Sequence, residues 1–428
     1  MPRIPTLCRF WCGLAGVIPL ALFAVSGWGQ STAQVATVQP PMAAKRPHEF
    51  KDHGVSRSDE YYWLRERDDP EVLEYLRREN AYTAAMLGPT EELQRDIARE
   101  LKARELQSDW SVPYPEGEWW YYTRTEDGRQ YRVHCRRGRV SSLSGALTSD
   151  EAASLVKADE NEQILLDVNA LARGHAFCSV PGVEVTPNGR FLAYAVDFVG
   201  RRRFEIRFRD LETGSVLSDV IRDVTPDMVW AADNQTLFYV RQDPQTLRSH
   251  QVYRHRLGTD AAQDPLVYEE SDPEFSVGLS RSRSKRYILL GSYQTLSSEV
   301  RLIDASQPQS TPRVFLPRRR HHEYSVDHLG DTFSVVTNDH ARNFRCASTR
   351  EPGSEVAAWT EVIPHRDDVL LEDVVLFDDY LVAVERGHAE TRLRVLDRNG
   401  REDHAIAFEE TAYSVFASPT EVTDTPWL

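Results

Sequence analysis

A chain of 428 residues with 66 acidic and 51 basic side chains, 41% hydrophobic and 27% charged, is globular in composition and long enough for two or three domains or one large repeat array. Its formal net charge of -15 excludes nucleic acid as the main partner and suits solubility or an encounter with basic peptides. Five cysteines are too few for an exported disulfide scaffold.

The first thirty residues read as a targeting segment. Arg3 and Arg9 give a positive start, Gly13 to Val25 an apolar run, and Gly27 and Gly29 a small-residue site before Gln30. Residues 1–29 are therefore expected to be a signal peptide and the protein periplasmic or secreted, with an uncleaved anchor or a cytoplasmic protein as alternatives. Pro19 and the absence of an Ala-x-Ala site keep those alternatives open. Residues 30–46, small and polar with two prolines, read as a flexible linker. Cys8 and Cys12 leave with the leader. Cys135, Cys178 and Cys346 can form at most one bridge, have no metal-ligand spacing, and are expected as buried free thiols.

Residues 47–108 read as a helical N-terminal segment. Three aromatics, Tyr61, Tyr62 and Trp63, precede a helix that Asp69 can cap and Pro70 can open. Val72, Leu73, Leu76 and Ala81 mark one side of it, and the aromatics require a surface to pack against. From Thr90 a second helix carries Leu93, Ile97 and Leu101 at every fourth position among charged residues.

From Asp109 onward the texture is strand and turn. Turn-then-strand units start at Pro187, Ala232, Ser282, Leu329 and Phe377, roughly 45 to 50 residues apart, the period of a four-stranded propeller blade. With a blade in the Trp119 to Val168 region, this predicts about six blades over 109–428, with Thr411 to Leu428 opening another that is cut short. The fold class is mainly β: a propeller, incomplete at the C-terminus, behind a short helical segment.

These residues carry a resemblance. The run from Tyr61-Tyr-Trp-Leu-Arg65 through Pro70-Glu-Val-Leu-Glu-Tyr-Leu-Arg-Arg-Glu-Asn-Ala-Tyr82 is similar to the N-terminal signature of the prolyl oligopeptidase family of serine peptidases. Its oligopeptidase B (protease II) branch is further resembled at Val196 to Gly214, Val229 to Asn234, Phe238 to Arg241, Gln263 to Glu270 and Phe315 to Asp327. The resemblance implies a seven-bladed propeller acting as a lid over an α/β-hydrolase domain. That domain's Ser, Asp and His cleave short peptides after Lys or Arg, and the N-terminal helices pack against it. On the family pattern the hydrolase domain follows the propeller and is absent from this chain. The expectation is a fragment inactive by itself, with the hydrolase half as partner and short basic peptides as substrates once that half is supplied.

The chemistry-bearing residue types agree with that absence. A hydrolase nucleophile requires a strained Gly-x-Ser-x-Gly turn, and none occurs. The nearest run, Gly278-Leu-Ser280-Arg-Ser282, lacks the last glycine, and Ser280 is expected in a turn. His321, His322, Glu323 and His340 form the densest group of metal-ligand types, but adjacent residues of a strand point to opposite faces, so a solvated loop is the reading. Arg201 to Arg203 and Arg318 to Arg320 have acids nearby and read as blade charge or domain contacts. Trp63, Trp119 and Trp230 read as core or interface. No catalytic, cofactor-binding or metal residue is assigned, and no nucleic acid, cofactor or membrane contact beyond the leader is expected. The alternative is a stand-alone propeller that binds a peptide or protein without catalysis.

Overall fold

The computed structural model describes residues 39–139, 161–353, 356–398, 403–410, 413–417 and 422–424. The expected leader, with Cys8 and Cys12, and the first part of the linker lie outside the described residues. The chain divides into two compact units, the boundary falling between Glu105 and Leu106.

The first unit opens with a hairpin of β1 (His48–Asp52) and β2 (Val55–Asp59). His53 and Gly54, at φ +50° and +80°, form its two-residue turn, the left-handed pair that suits strand twist. The helical reading of this region does not contain the hairpin, because neither strand has a buried face and so neither shows apolar alternation. The aromatic run then finds a surface close at hand. Tyr62 stacks on His48 at 4.1 Å and meets Phe50 edge-on at 4.9 Å. Trp63 donates its Nε1–H to the Ala44 carbonyl at 2.8 Å, with the Arg46 guanidinium 4.5 Å over the ring. Tyr62 and Trp63 therefore find contacts within their own unit, while Tyr61 remains exposed.

Helix α1 (Pro70–Leu87) starts as its sequence dictates: Asp69 accepts the Glu71 amide at 2.7 Å, and Pro70 occupies a position with no donor to lose. Helix α2 (Glu91–Ala103) follows. Val72 is the buried residue of α1, and the Leu93, Ile97 and Leu101 stripe of α2 is exposed at 58%, 48% and 58%.

The second unit is built from antiparallel sheets. Blade 1 is β3 (Tyr114–Glu116), β4 (Trp119–Arg124), β5 (Val133–Gly138) and β6 (Gln163–Asp167). A short helix, α3 (Val168–Leu171), follows, with Asp167 accepting the Asn169 amide at its start. Next comes one seven-stranded sheet: β7 (Ser179–Val185), β8 (Phe191–Asp197), β9 (Phe204–Asp210), β10 (Val216–Trp230), β11 (Thr236–Gln242), β12 (Ser249–Arg256) and β13 (Leu266–Glu269). This sheet is two blades spliced through β10. Val216 to Val224 pairs with β9 as the last strand of blade 2, and Val224 to Trp230 pairs with β11 as the first strand of blade 3. The register breaks between Val224 and Met228, around Pro226, which has no amide to donate. Gly182 of β7 passes so close to this bend that a Cβ there would lie 2.7 Å from the Pro226 carbonyl oxygen.

Three four-stranded blades complete the described sheets. Blade 4 is β14 (Ser276–Arg281), β15 (Tyr287–Gln294), β16 (Ser297–Asp304) and β17 (Arg313–Val314). Blade 5 is β18 (Tyr324–Leu329), β19 (Thr332–Thr337), β20 (Arg345–Thr349) and β21 (Thr360–Ile363). Blade 6 is β22 (Leu370–Leu376), β23 (Tyr380–Gly387), β24 (Glu390–Asp397) and β25 (Asp403–Ala405). The five turn-then-strand units of the sequence fall on the turn into the second strand of blades 2 to 6. Expected blade 1 starts earlier than its sequence estimate, at Tyr114.

The core lies between blades. Val229, Phe238 and Val252 of blade 3 pack on Ile288, Leu290 and Ile303 of blade 4, and Leu302 and Phe315 pack on Val326 and Phe333 of blade 5. Each fully buried side chain of this size contributes about 1.5–3 kcal/mol, so every blade depends on its neighbours. In the segment expected to open a further blade, residues 413–417 and 422–424 form no strand. Val415 and Ala417 pack against Val375, Phe377 and Val382, and the Asp378 amide donates to the Thr423 carbonyl at 3.0 Å.

Candidate functional site

The first strands of four blades converge: β3, β7 and β14 are sheet edges, and β10 runs inside the spliced sheet. β3, β7, the Met228 end of β10, and β14 surround a cavity of about 510 Å³. An edge strand alternates, so residues spaced by two share the cavity side, as Tyr114 and Glu116 do in β3. The wall is mixed. Tyr114 stacks on Tyr121 at 5.6 Å, and Met228 and Leu279 add apolar surface. Glu116, His134, Glu184, Arg281 and Arg283 add polar and charged groups.

Burial tunes His134 of this wall and two acids that lie outside it. Burial, with Arg132 nearby, lowers the His134 pKa to about 4, so the imidazole is neutral at physiological pH and offers hydrogen bonds without charge. Asp327 of β18 is pushed up to about 6 by burial, against the amides of Arg283 and His328 that donate to its Oδ1 at 2.9 and 2.7 Å. Asp227 of β10 is raised by burial too. The cations bond backbone as well as acids: Arg281 donates to the Trp230 carbonyl at 2.7 Å, and Lys285 meets Glu116 at 2.8 Å.

The wall thus offers donors, acceptors and aromatic faces together. Ser280, the serine nearest to a hydrolase turn in the sequence, is not set as a nucleophile. Ser280 lies inside β14, paired with Leu289, and not in a turn as the sequence suggested. The alternation Val277, Leu279 continues through it, and an extended strand lacks the converging amides of a nucleophile elbow.

The other groups singled out in the sequence are dispersed. His322 is buried, its ring nitrogen Nε2 2.9 Å from the Thr337 hydroxyl, while Glu323 accepts from the Asn338 side chain at 3.2 Å. Among the described residues no group of three or more His, Cys, Asp or Glu side chains could hold a metal ion. Arg203 pairs with Asp223, Arg319 with Asp339, and Arg318 with Glu270. The last pair is unlike surface charge: Glu270 is 2% exposed, and Arg318 reaches it at 2.5 Å from the neighbouring blade while lying over Phe275. Burial would raise the Glu270 pKa, but hydrogen bonds from Arg318 and Tyr268 hold it down at about 2. Trp230 is fully buried and donates to the Glu184 carbonyl, and Trp119 lies under the Arg136 guanidinium at 3.8 Å. Cys135, Cys178 and Cys346 are free and buried, and burial pushes the thiols of Cys135 and Cys346 up to about 12 and about 11. Sequence reading missed the cavity residues Glu116, Tyr121, His134 and Arg283. Glu116 and Tyr121 lie beside or within the aromatic run Trp119 to Tyr122, whereas His134 and Arg283 carry no local signal.

Six blades in five antiparallel sheets, with cores between neighbouring blades and four first strands on a shared cavity, define a β-propeller domain. The chain belongs to the prolyl oligopeptidase family: residues 40–425 match the model of the prolyl oligopeptidase N-terminal β-propeller domain. It is 43% identical over 402 residues to a dipeptidyl aminopeptidase BI of Pseudoxanthomonas mexicana, covering 93% of this chain and 55% of that protein. It is 31% identical to a protease 2 of Moraxella lacunata, covering 90% and 54%. The structure of oligopeptidase B from Leishmania major superposes with a TM-score of 0.79 at 28% identity, covering 88% of this chain and 54% of that one. The chain thus spans about half the length of the curated relatives it matches.

Proposed function

We propose that this chain is the N-terminal and propeller part of an oligopeptidase B-like serine peptidase that cleaves short peptides after Lys or Arg, the propeller restricting what reaches the catalytic centre. The observation that carries the reading is the family match over residues 40–425 together with a cavity of about 510 Å³ at the convergence of the blades. A space of that size accepts a few residues of extended peptide and excludes a folded domain. On this reading the Ser, Asp and His belong to an α/β-hydrolase segment outside these 428 residues, which contain no Gly-x-Ser-x-Gly. The exposed stripe of Leu93, Ile97 and Leu101 is the surface that such a segment covers. The leader over 1–29 directs the protein to the periplasm or the medium, which amino-terminal sequencing of the mature protein checks.

Two preparations test the activity. The purified 428-residue chain is expected to give no serine-inhibitor-sensitive turnover of a dibasic fluorogenic peptide; turnover above a blank sinks the assignment of the triad to another segment. A fusion to the hydrolase portion of the Pseudoxanthomonas relative is expected to cleave after Lys or Arg in short peptides and to spare folded proteins. A fusion that folds and lacks that preference overturns the specificity, and a propeller that binds peptides without any cleavage becomes the better account. The 43% identity to a dipeptidyl aminopeptidase favours a second reading, release of dipeptides from a free amino terminus. Blocking the substrate's amino terminus separates the two: it abolishes dipeptide release and leaves internal cleavage intact.

A further inference from the structure

The turn between the first and second strands of blade 4 breaks the pattern of its counterparts. In blades 1, 2, 3 and 5 that turn contains one left-handed residue: Gly117 at φ +56°, Gly189 at +75°, Asn234 at +59° and Gly330 at +63°. These are the residue types that tolerate the left-handed region. In blade 4 the position is Lys285, at φ +58°. A long side chain kept where the backbone favours glycine or asparagine points to use of the side chain itself.

Its use is visible. Lys285 Nζ lies 2.8 Å from Glu116 on β3 of blade 1, 169 positions away, so the contact joins blades that are not neighbours in the ring. Two residues earlier, Arg283 reaches the other way. Its Nε donates to the Leu376 carbonyl of blade 6 at 3.1 Å, an Nη donates to the Val422 carbonyl at 3.2 Å, and its guanidinium lies 5.2 Å from the Phe377 ring centroid. The same turn holds blade 5 through two backbone donors: the Arg283 amide gives to Asp327, and the Ser284 amide to the His328 carbonyl at 2.8 Å. One five-residue turn therefore contacts blades 1, 5 and 6 and the 422–424 segment, whereas the apolar cores join neighbouring blades only. An exposed ion pair alone is worth little, and Lys285 and Glu116 retain 38% and 25% side-chain exposure; what matters here is the pair of elements it connects.

We infer that residues 282–286 are an axial clasp, in which Lys285 and Arg283 hold the ring together across its centre, tying blade 4 to blade 1 on one side and to blade 6 and the 422–424 segment on the other. Pairing of strands between the first and last blades is the usual way to close a ring against its own edges. Here, side chains from a middle blade act across the centre. A peptide passing along the centre at the level of this turn has to displace them.

Hydrogen exchange on the full chain tests this, comparing wild type with Lys285→Gly, Lys285→Arg and Arg283→Gln. Glycine suits the backbone at 285, so that variant folds and loses only the side chain. It is expected to raise exchange across residues 114–124 by about tenfold, leaving β11 of blade 3 at its wild-type rate. Lys285→Arg is expected to match wild type, and Arg283→Gln to raise exchange over residues 413–424. Unchanged protection of 114–124 in Lys285→Gly overturns the clasp, and so does a uniform rise in every blade. A cycle with Glu116→Gln adds an independent reading. The second substitution is expected to cause little further loss of protection once the first is in place, and additive effects contradict the pairing.

Discussion

The two units of this chain dispose of their apolar residues in opposite ways. In the propeller, alternation along each strand puts one face against the next blade, and Trp230, Phe238, Phe315 and Phe333 are almost fully buried. In the N-terminal unit the same kind of periodicity, now at helical spacing, leaves Leu93, Ile97 and Leu101 in the open. A periodic apolar pattern therefore says that a face is meant to be covered, without saying by what. The blades bring their own partners because they repeat. The helices, which do not repeat, bring none along α2.

Substitutions can sharpen this contrast, and the largest effect is expected in the blades. Trp230→Ala removes a fully buried ring between blades 2 and 3 and should cost about 3–5 kcal/mol, read as a fall in the denaturation midpoint. A loss under about 1 kcal/mol would mean that the blades do not depend on their shared core.

Next is Arg318→Ala, which leaves the carboxylate of Glu270 buried without its cation, at an expected cost of about 3 kcal/mol near neutral pH. The sign of its pH dependence follows from the depressed Glu270 pKa. In wild type the pair's stabilisation is complete above the unfolded carboxylate value and is lost as pH falls towards about 2. The difference between wild type and variant should thus shrink on acidification below about pH 4, and a constant difference down to about pH 2 would contradict this account.

The smallest effect is expected on the other side of the comparison. Ile97→Gln with Leu101→Gln on α2 should change the midpoint of the chain by less than about 0.5 kcal/mol. A larger loss would show that this stripe is already covered.

Much of this was legible in the sequence, and the exceptions have physical causes. The turn signals at Pro187, Ala232, Ser282, Leu329 and Phe377 mark the same turn in five blades, because that turn needs a residue able to bend and the strand after it is apolar. The cap at Asp69 and the start at Pro70 were readable for a similar reason: both act locally. The β1–β2 hairpin was not, since its exposed strands carry no alternation. The cavity was the least legible part. Glu116, His134 and Arg283 are far apart in sequence, and only the ring geometry brings their strands to one place. Ser280 shows the converse error, where a small polar residue near Gly and Arg suggests a turn although two-residue alternation carries the strand through it.

The continuous strand β10 has a mechanical consequence. Other neighbouring blades meet mainly through side chains, a seam without a shared strand. Blades 2 and 3 are instead welded by one run of backbone whose hydrogen bonds serve both sheets. They form a stiff double plate, so any breathing of the ring must be taken up at its remaining seams.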